Sequence, residues 1–511
     1  MKKVFLSISA LFLLLISFSS VIPVEAGSFF NPPAVAEPGT WYMGATPENV
    51  NPAYPVLLFV QGLNSSSHTW YENNDMYQTA FNNGYQTAFV ELYDSGGTPE
   101  DMWDNGALLA EKIREISQTF HKPIALITHS KGGIDAEAAL VHYGAYPYVT
   151  NVVTLSSPHY GSQLADLAYS SWAGWLAGIL GAKSDATYSL QTSYMSYFRS
   201  VTDSHPNAGR NPFYTLAGTS WGSFGSSLYW GGLYLSQFGP NDGAVTVSNA
   251  YHPNSSMIKV GNWNHTNIKY GSSTFAWFRS YLSGSTPSSS SSLSASALSS
   301  SEQYTASQLI RGGSAKGTAR EKIWVENGVE RLTIDWISNQ ELRSINLLTP
   351  DGEKQEVFPA KVQDDQIFKG AWHHTFTISK PAKGEWQLES NTPSSSAYLM
   401  LVQFTSPLSD KIKVKKDKKA GKLSLLFDTK TKGKAAYTLD FTPLHNNKGK
   451  KIGQRLKEKF PLQGDQNLTI QGKTPGVYTY TIEVEGKTDE GVPYQRTFIQ
   501  SVFVDDQGKM Y

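Results

Sequence analysis

The chain of 511 residues contains no cysteine. This absence excludes disulfide frameworks, cysteine-ligated zinc, iron–sulfur clusters, a thiol nucleophile and a lipoprotein anchor on cysteine. The chain also has no net charge, with 43 basic and 43 acidic side chains, which argues against a general nucleic-acid binder. Beyond the N-terminal segment, no run approaches ~18 uninterrupted apolar residues, so no membrane-spanning helix is expected there.

The first 26 residues have the pattern of a secretory signal peptide. Lys2 and Lys3 precede an apolar stretch from Val4 to Ile22, and Ala26 is a small residue before a cleavage point at Gly27. A single N-terminal membrane anchor is the alternative interpretation. We therefore expect a secreted, extracellular protein.

The neutral total hides an uneven distribution of charge. Residues 1–290 carry 12 basic and 18 acidic side chains, whereas residues 291–511 carry 31 and 25. A serine-rich stretch at 283–303 lies at this change and is typical of a flexible linker. At roughly 100–200 residues per domain, the length predicts three or four domains. Few contacts are expected between halves that such a linker joins.

Residues 27–282 alternate buried strands with amphipathic helices. Apolar runs at 55–60, 86–92, 124–128 and 152–155 predict strands, and apolar side chains at helical spacing follow the second and third runs. This order predicts an α/β fold with a doubly wound, mostly parallel sheet and helices on both faces.

After the linker, short alternating strands are separated by turn signals. The pattern occurs twice and predicts two all-β sandwich domains, at 304–407 and 408–511. Lysines are concentrated at 411–419, at the start of the second domain. This stretch is either a solvated face or a surface that favours an anionic cell wall or substrate particle.

The most informative motif is Thr-His-Ser-Lys-Gly-Gly at 128–133, directly after the third predicted strand and before a helix. Small residues around a serine in a strand-to-helix turn are typical of a nucleophile elbow, whose strained backbone exposes the hydroxyl group. Thr128 stands where a glycine usually lies. A helix N-cap is the alternative role for Ser130.

Two backbone N–H groups near Ser130 are candidate oxyanion donors. One belongs to Lys131, at the start of a helix whose dipole favours negative charge. The other is expected from the loop after the first strand, at Leu63, with Gln61 and Asn64 as alternatives because the sequence does not fix the loop register.

Two downstream loops offer partners for a serine nucleophile. Asp242 lies in a loop of Gly, Pro and Asn residues, where a turn-forming role is the alternative. His265 follows another predicted strand, and His252 is a rival base because it also follows Asp242. The chain order Ser, Asp, His is that of the α/β-hydrolase fold.

With the Ser-Pro-His-Tyr-Gly-Ser segment at 157–162, these motifs make residues 50–282 resemble the secreted bacterial triacylglycerol lipases of the α/β-hydrolase superfamily. The resemblance implies that Ser130 attacks an ester carbonyl, that His265 transfers the proton and that Asp242 orients His265. It does not cover the C-terminal half.

A cap over the acyl pocket is expected at about 161–212, where apolar side chains recur at helical spacing. Trp172 and Trp175 in this segment, and Trp230 in a second aromatic stretch, are candidate substrate-binding residues. A helix packed on the core, or a packed loop, is the alternative. An apolar cap would favour a lipidic substrate.

The sequence therefore predicts a secreted serine carboxylic ester hydrolase, in first place a lipase that acts on triacylglycerols or other lipid esters. The alternatives are a polyhydroxyalkanoate-type polyester depolymerase and a surface adhesion protein with an inactive hydrolase domain. We assign no cofactor and no metal. Related lipases often hold a structural calcium ion, to which Asp203 and Asp242 could contribute, but the sequence has no calcium-loop motif.

Overall fold

The computed structural model describes residues 36–282, 303–365, 368–417, 422–427, 432–443, 456–462, 466–469 and 474–511. The predicted signal segment 1–26 and the linker, apart from its last residue, lie outside these ranges. Most side chains of the lysine-rich stretch 411–419 also lie outside what the structure describes. No helix within the described ranges is long and apolar enough to cross a membrane.

A seven-stranded sheet forms the centre of the first half of the chain. Its strands are β1 Trp41–Met43, β2 Val56–Val60, β3 Thr87–Val90, β4 Ile124–His129, β5 Val149–Leu155, β6 Phe213–Gly218 and β7 Ser255–Gly261. The order across the sheet is β1-β3-β2-β4-β5-β6-β7. Only the edge strand β1 runs antiparallel to its neighbour; the other pairs are parallel. The predicted α/β fold is confirmed.

Helices cover both faces of this sheet. In the described residues they are α1 Met76–Asn82, α2 Met102–Phe120, α3 Gly132–Val141, α4 Gln163–Ala168, α5 Gly174–Ile179, α6 Asp185–Ser189, α7 Thr192–Thr202, α8 Ser227–Leu235 and α9 Gly271–Phe278. Leu57 and Phe59 of β2 pack in one core with α1 and α9, whereas Val56 and Leu58 pack in another with α2 and α3. Both faces of β2 are therefore buried, which explains its uninterrupted apolar sequence.

The second half of the chain is all β in the described residues, and its strand pairs are antiparallel. The strands are β8 Gln303–Thr305, β9 Gln308–Val325, β10 Arg331–Ser338, β11 Ile345–Leu348, β12 Lys354–Val357, β13 Ala360–Gln363, β14 Trp372–Ser379, β15 Gly384–Thr405, β16 Ile412–Asp417, β17 Lys422–Phe427, β18 Lys432–Pro443, β19 Leu456–Leu462, β20 Gln466–Thr469, β21 Gly476–Lys487 and β22 Pro493–Val504. One sheet contains β9 to β15, and two four-stranded sheets contain the remaining strands. The predicted β architecture is confirmed. We call residues 303–511 the β region.

The two halves share a hydrophobic core, so the expectation of few contacts between them is wrong. Side chains of α4, α5, α7 and α8 are buried in one cluster with strands of the β region. The ring centroids of Tyr194 and Phe503 lie 5.0 Å apart, and Ser501 donates a hydrogen bond of 2.7 Å to Asp166. The short helices within 161–212 pack their apolar faces against the β region rather than facing water. The serine-rich linker gives no indication of this contact.

Candidate active site

Ser130 lies in a sharp turn between β4 and α3. Its φ angle is +53°, in the left-handed region that non-glycine residues rarely adopt. A Cβ atom at Gly132 would lie 2.3 Å from the carbonyl oxygen of Gln61, and one at Gly62 would lie 2.7 Å from the Cβ atom of Ser130. Glycine is therefore required at both positions for the two loops to approach each other.

Thr128, which replaces the usual first glycine, fits because its side chain bonds to the neighbouring strand. Its hydroxyl donates a hydrogen bond of 3.0 Å to the carbonyl oxygen of Val153 in β5. The close approach occurs instead at Gly133, where a Cβ atom would lie 2.1 Å from the hydroxyl oxygen of Ser157. The departure from the usual motif thus leaves the turn intact.

Ser130, His265 and Asp242 form a continuous chain of hydrogen bonds. Oγ of Ser130 lies 3.0 Å from Nε2 of His265, and Nδ1 of His265 lies 2.7 Å from Oδ2 of Asp242. The other carboxylate oxygen of Asp242 accepts N–H groups from Ala244 (2.9 Å) and Val245 (2.8 Å). Because an ionised carboxylate can only accept, Nδ1 of His265 carries the proton, and Nε2 accepts the hydroxyl proton of Ser130.

His129, which precedes the serine, helps to hold His265 in place. Its Nε2 lies 2.8 Å from the carbonyl oxygen of His265, and the two rings are 4.6 Å apart between centroids. Burial holds the pKa of His129 well below its usual value, and the neighbouring His265 lowers it further. His129 is therefore neutral and donates this hydrogen bond. Sequence reasoning placed it in the motif but gave it no role.

The side chain of Lys131 is fully buried and ion-paired. Its Nζ lies 3.0 Å from a carboxylate oxygen of Asp94, in the turn after β3, and 3.0 Å from one of Asp135, in α3. Burial opposes the charge on Lys131, but Asp135 and Asp94 outweigh it, and the pKa of Lys131 is raised. Burial raises the pKa of Asp135, and the ammonium of Lys131 beside it opposes that rise.

The same turn holds the loop in which Leu63 lies. Nε2 of Gln61 donates to the hydroxyl of Ser95 at 2.9 Å, and that hydroxyl donates to the carbonyl oxygen of Ser65 at 3.2 Å. The two predicted sources of oxyanion donors, Lys131 and the Leu63 loop, are thus attached to adjacent residues of one short turn.

The rival base, His252, lies in a different cluster. Its Nδ1 accepts the backbone N–H of Asn254 at 3.2 Å, so its Nε2 carries the proton that it donates to Glu137 at 2.9 Å. His159 lies beside the same carboxylate, and Arg199 forms an ion pair with it. Glu137, His159 and His252 each have a potential metal-ligand atom, and these atoms lie within 4.8 Å of one another. The carboxylate of Glu137, however, already pairs with the guanidinium of Arg199 and accepts the proton on Nε2 of His252.

The two carboxylates considered for calcium have separate partners. Asp203 lies 3.4 Å from the guanidinium of Arg199, whereas the carboxylate of Asp242 bonds to His265 and to backbone N–H groups.

A cavity of about 180 Å³ contains the hydroxyl of Ser130. Leu63, the candidate oxyanion donor, and Trp230, the candidate substrate-binding residue, both line it. The other lining residues include Gly62, Asn64, Pro158, Leu164, Leu190, Ala244, Val245, His265 and Lys269. Trp172 does not line it; its ring lies under the guanidinium of Arg311, 5.2 Å from the ring centroid, in the contact with the β region. The side chain of Trp175 lies outside the described part of the structure.

Two residues of the β region also line this cavity, and sequence reasoning missed both. Asp364 and Asp365 follow β13 and lie in the same cavity as Ser130. The backbone N–H of Asp365 donates to the hydroxyl of Ser227 in α8 at 3.3 Å, and Asp364 bonds to Nε2 of His373 at 2.9 Å. The β region therefore reaches the mouth of the candidate active site.

No protein-family model matches the chain. Triacylglycerol lipase 2 of Saccharomyces cerevisiae is 29% identical over 152 residues, and the match spans 28% of this chain and 45% of the yeast protein. The crystal structure of Bacillus licheniformis lipase BlEst2 in propeptide form is 38% identical, with a TM-score of 0.79, and the match covers 93% of this chain and 100% of that chain. The mature form of that lipase is 51% identical over 48% of this chain and 99% of its own, with a TM-score of 0.46.

The parallel sheet, the serine turn after β4 and the likeness to a solved lipase along its whole length define an α/β hydrolase. The chain belongs to the family of the Bacillus licheniformis lipase BlEst2.

Proposed function

We propose that the protein is a secreted serine ester hydrolase, a lipase that cleaves triacylglycerols or other lipid esters. The observation that carries the proposal is the hydrogen-bonded chain from Ser130 through His265 to Asp242. The comparisons support the proposal, because the chain belongs to a family that contains a lipase. Secretion is proposed from the signal-like sequence at 1–26.

In the proposed reaction, Oγ of Ser130 forms a bond to the ester carbonyl carbon while its proton moves to Nε2 of His265. When the tetrahedral intermediate collapses, the bond to the alcohol oxygen breaks, and His265 gives the proton to the departing alkoxide. Water then attacks the carbonyl carbon of the acyl-enzyme while His265 takes its proton. The bond from that carbon to Oγ of Ser130 breaks, His265 returns the proton to Oγ, and the carboxylic acid leaves. Asp242 keeps the proton of the neutral imidazole on Nδ1 and stabilises the imidazolium form.

The negative charge on the carbonyl oxygen would be stabilised by backbone N–H groups at Lys131 and in the loop of Leu63. Lys131 precedes α3, so the positive end of the helix dipole also faces the developing charge. Leu63 lines the cavity beside Ser130. Preorganised donors of this kind stabilise the transition state without reorganising during the reaction.

The lining favours an apolar substrate. Trp230, Leu164, Leu190 and Val245 contribute apolar surface near Ser130, and pockets of this composition bind acyl chains through the hydrophobic effect. We therefore propose lipid esters as substrates, with α4 to α7 as a cap over the pocket.

We further propose that the β region is a propeptide that covers the site until it is removed. The structure that spans 93% of this chain is described as a propeptide form of its lipase. In this chain, Asp364 and Asp365 lie in the cavity of Ser130, and the two halves share a hydrophobic core. A substrate as large as a triacylglycerol would meet this segment before it meets the serine.

Labelling with a fluorescent fluorophosphonate tests the nucleophile. A sequence for a site-specific protease, inserted within 284–301, allows the chain to be cut after it has folded. Once it has been separated from the β region, the cut wild-type protein should take up one label, Ser130→Ala should take up none, and the exposed-serine control Ser200→Ala should label normally. Absence of label on the cut wild-type protein would reject the proposed function.

Substrate preference separates the remaining alternatives. Emulsified long-chain triglyceride, a short-chain 4-nitrophenyl ester and a polyhydroxyalkanoate film are offered to the cut protein. Faster hydrolysis of the film would replace the lipase proposal with polyester depolymerisation.

A further inference from the structure

Lys269 is a cation beside the proposed nucleophile. It lies in the turn that follows His265 and lines the same cavity as Ser130 and His265. Among the described residues that line this cavity, it is the only Lys or Arg. Its ammonium donates to the hydroxyl of Thr69, and its carbonyl oxygen accepts from the side chain of Asn74 at 3.2 Å. Lys269 thus lines the cavity, while its ammonium is bonded to Thr69, a residue outside the cavity lining.

The surroundings of Lys269 are unfavourable for a positive charge. Burial lowers the pKa of Lys269 to about 8, and Asp365 partly offsets this effect. The hydroxyl of Thr69 can accept a hydrogen bond but brings no negative charge. A buried ammonium is costly unless a charged partner faces it. The charged partner here comes from the β region rather than from the domain to which Lys269 belongs.

Asp364 and Asp365 have different roles at the mouth of the cavity. Nε2 of His373 holds the carboxylate of Asp364 within the β region. Asp365 is placed by its backbone N–H on Ser227 and acts electrostatically on Lys269. A carboxylate of the β region and a cation of the catalytic domain therefore line the same cavity, in which an ester would react.

We propose that Lys269 is a specificity-determining residue that binds an anionic group, a carboxylate or a phosphate, on the ester substrate. While the β region is present, the carboxylate of Asp365 takes the place of that anionic group. The inference rests on the proposed function, because the β region must leave before an ester can replace Asp365. Lys269 then remains beside Ser130 without the carboxylate that faced it, and a negatively charged group near the scissile ester provides the missing charge.

The experiment compares matched neutral and anionic esters with the protein cut within 284–301 after folding and then separated from the β region. One pair is 4-nitrophenyl hexanoate and 4-nitrophenyl hydrogen adipate, which tests a carboxylate. A second pair is dihexanoylglycerol and dihexanoyl phosphatidate in the same neutral detergent, which tests a phosphate. The quantity measured is the ratio of kcat/KM for the anionic ester to that for the neutral ester.

Four variants isolate the charge of Lys269. Lys269→Gln keeps a donor for Thr69 and removes the charge, Lys269→Met removes both, and Lys269→Arg keeps the charge. Lys259→Met is the matched control, because that lysine lies over the ring of Trp277, 4.3 Å from its centroid, and does not line the cavity. Lys269→Gln can be tested even if Lys269→Met does not fold.

At least one anionic-to-neutral ratio should fall at least about tenfold in Lys269→Gln, the loss expected for one hydrogen bond to a charged group. It should be kept in Lys269→Arg and in Lys259→Met. A loss confined to one pair of esters identifies the carboxylate or the phosphate as the group that is bound.

Unchanged ratios for both pairs in Lys269→Gln would overturn the inference. If that variant instead raises the activity of the uncut chain while both ratios stay constant, Lys269 only holds the β region. If the cut wild-type protein hydrolyses the neutral ester and Lys269→Gln changes neither ratio, the inference fails and the proposed function stands. A protein that hydrolyses none of the esters rejects both.

Discussion

Lys131 and Asp94 form a fully buried ion pair of 3.0 Å between the residue after Ser130 and the turn after β3. The neighbouring Ser95 in that turn bonds to Gln61, in the loop that contains Leu63. The pair therefore links the serine turn to the second loop proposed to supply an oxyanion donor. Its loss would affect both stability and catalysis.

Lys131→Met should destabilise the protein by about 3–5 kcal/mol, because Asp94 and Asp135 would remain buried without a cation. Urea unfolding measures this change, with Lys122→Met on the half-exposed loop after α2 as control. The double variant Lys131→Met/Asp94→Asn should recover part of the loss. An unfolding midpoint equal to that of the wild type would show that the buried pair contributes no stability.

His265→Ala should lower kcat on a short-chain ester by about 10⁴-fold or more in the cut protein, because His265 and Ser130 act as a unit. His252→Ala should retain kcat, because its ring serves Glu137 and not the serine. Steady-state kinetics on both variants decides which histidine is the base, and thermal unfolding checks that both variants fold. Loss of activity in His252→Ala, with activity kept in His265→Ala, would show that His252 is the base.

Cutting the chain within 284–301 and separating the two parts should raise the rate of hydrolysis of emulsified triglyceride. The reason is that Asp364 and Asp365 no longer lie in the cavity of Ser130. The Ser130→Ala chain, cut in the same way, provides the background rate. Equal rates before and after separation would mean that the β region leaves the site accessible.

The β region should lose stability at alkaline pH through His373. Its ring lies between Asp335 (2.8 Å) and Asp364 (2.9 Å), and although burial opposes the charge, these carboxylates raise the pKa of His373 from 6.5 to about 10. A raised histidine pKa contributes stability that is fully present below pH 6.5 and is lost as the pH rises through about 10.

Thermal unfolding of the wild type and of His373→Gln between pH 6 and 11 tests this prediction. The difference between the two midpoints should be largest at the acidic end and should shrink towards pH 11. A difference that stays constant over this range would mean that His373 is not protonated in the folded protein.

The catalytic half of the fold could be predicted because its signals are local. The strand, the serine turn and the following helix are adjacent in sequence, and Gly132 and Gly133 are fixed by close approaches at the turn itself. The loop of Asp242 could be located from its Gly, Pro and Asn residues, and that of His265 from its place after a predicted strand, in the chain order Ser, Asp, His. The structure brings the three side chains together at the predicted positions.

The contacts between the halves could not be predicted, because they join residues that no local pattern relates. Asp364 and Asp365 follow a short strand, and nothing local in the sequence relates them to α8, where Ser227 accepts the backbone N–H of Asp365. Trp172 is at helical spacing suited to a cap, but its ring meets Arg311 instead of the cavity. The charge of Lys131 gave no sign of burial, since its partner Asp94 lies 37 positions away.

Removal of the β region, as we propose it, would uncover the hydrophobic core that the two halves share. Leu164, Leu176, Trp230 and Leu233 would lose their cover and form an apolar rim on the side of the domain where the proposed cap lies. A contiguous apolar patch on a water-soluble domain favours adsorption at an oil–water boundary. The side chains that pack against the β region would then also favour adsorption of the domain on a lipid surface.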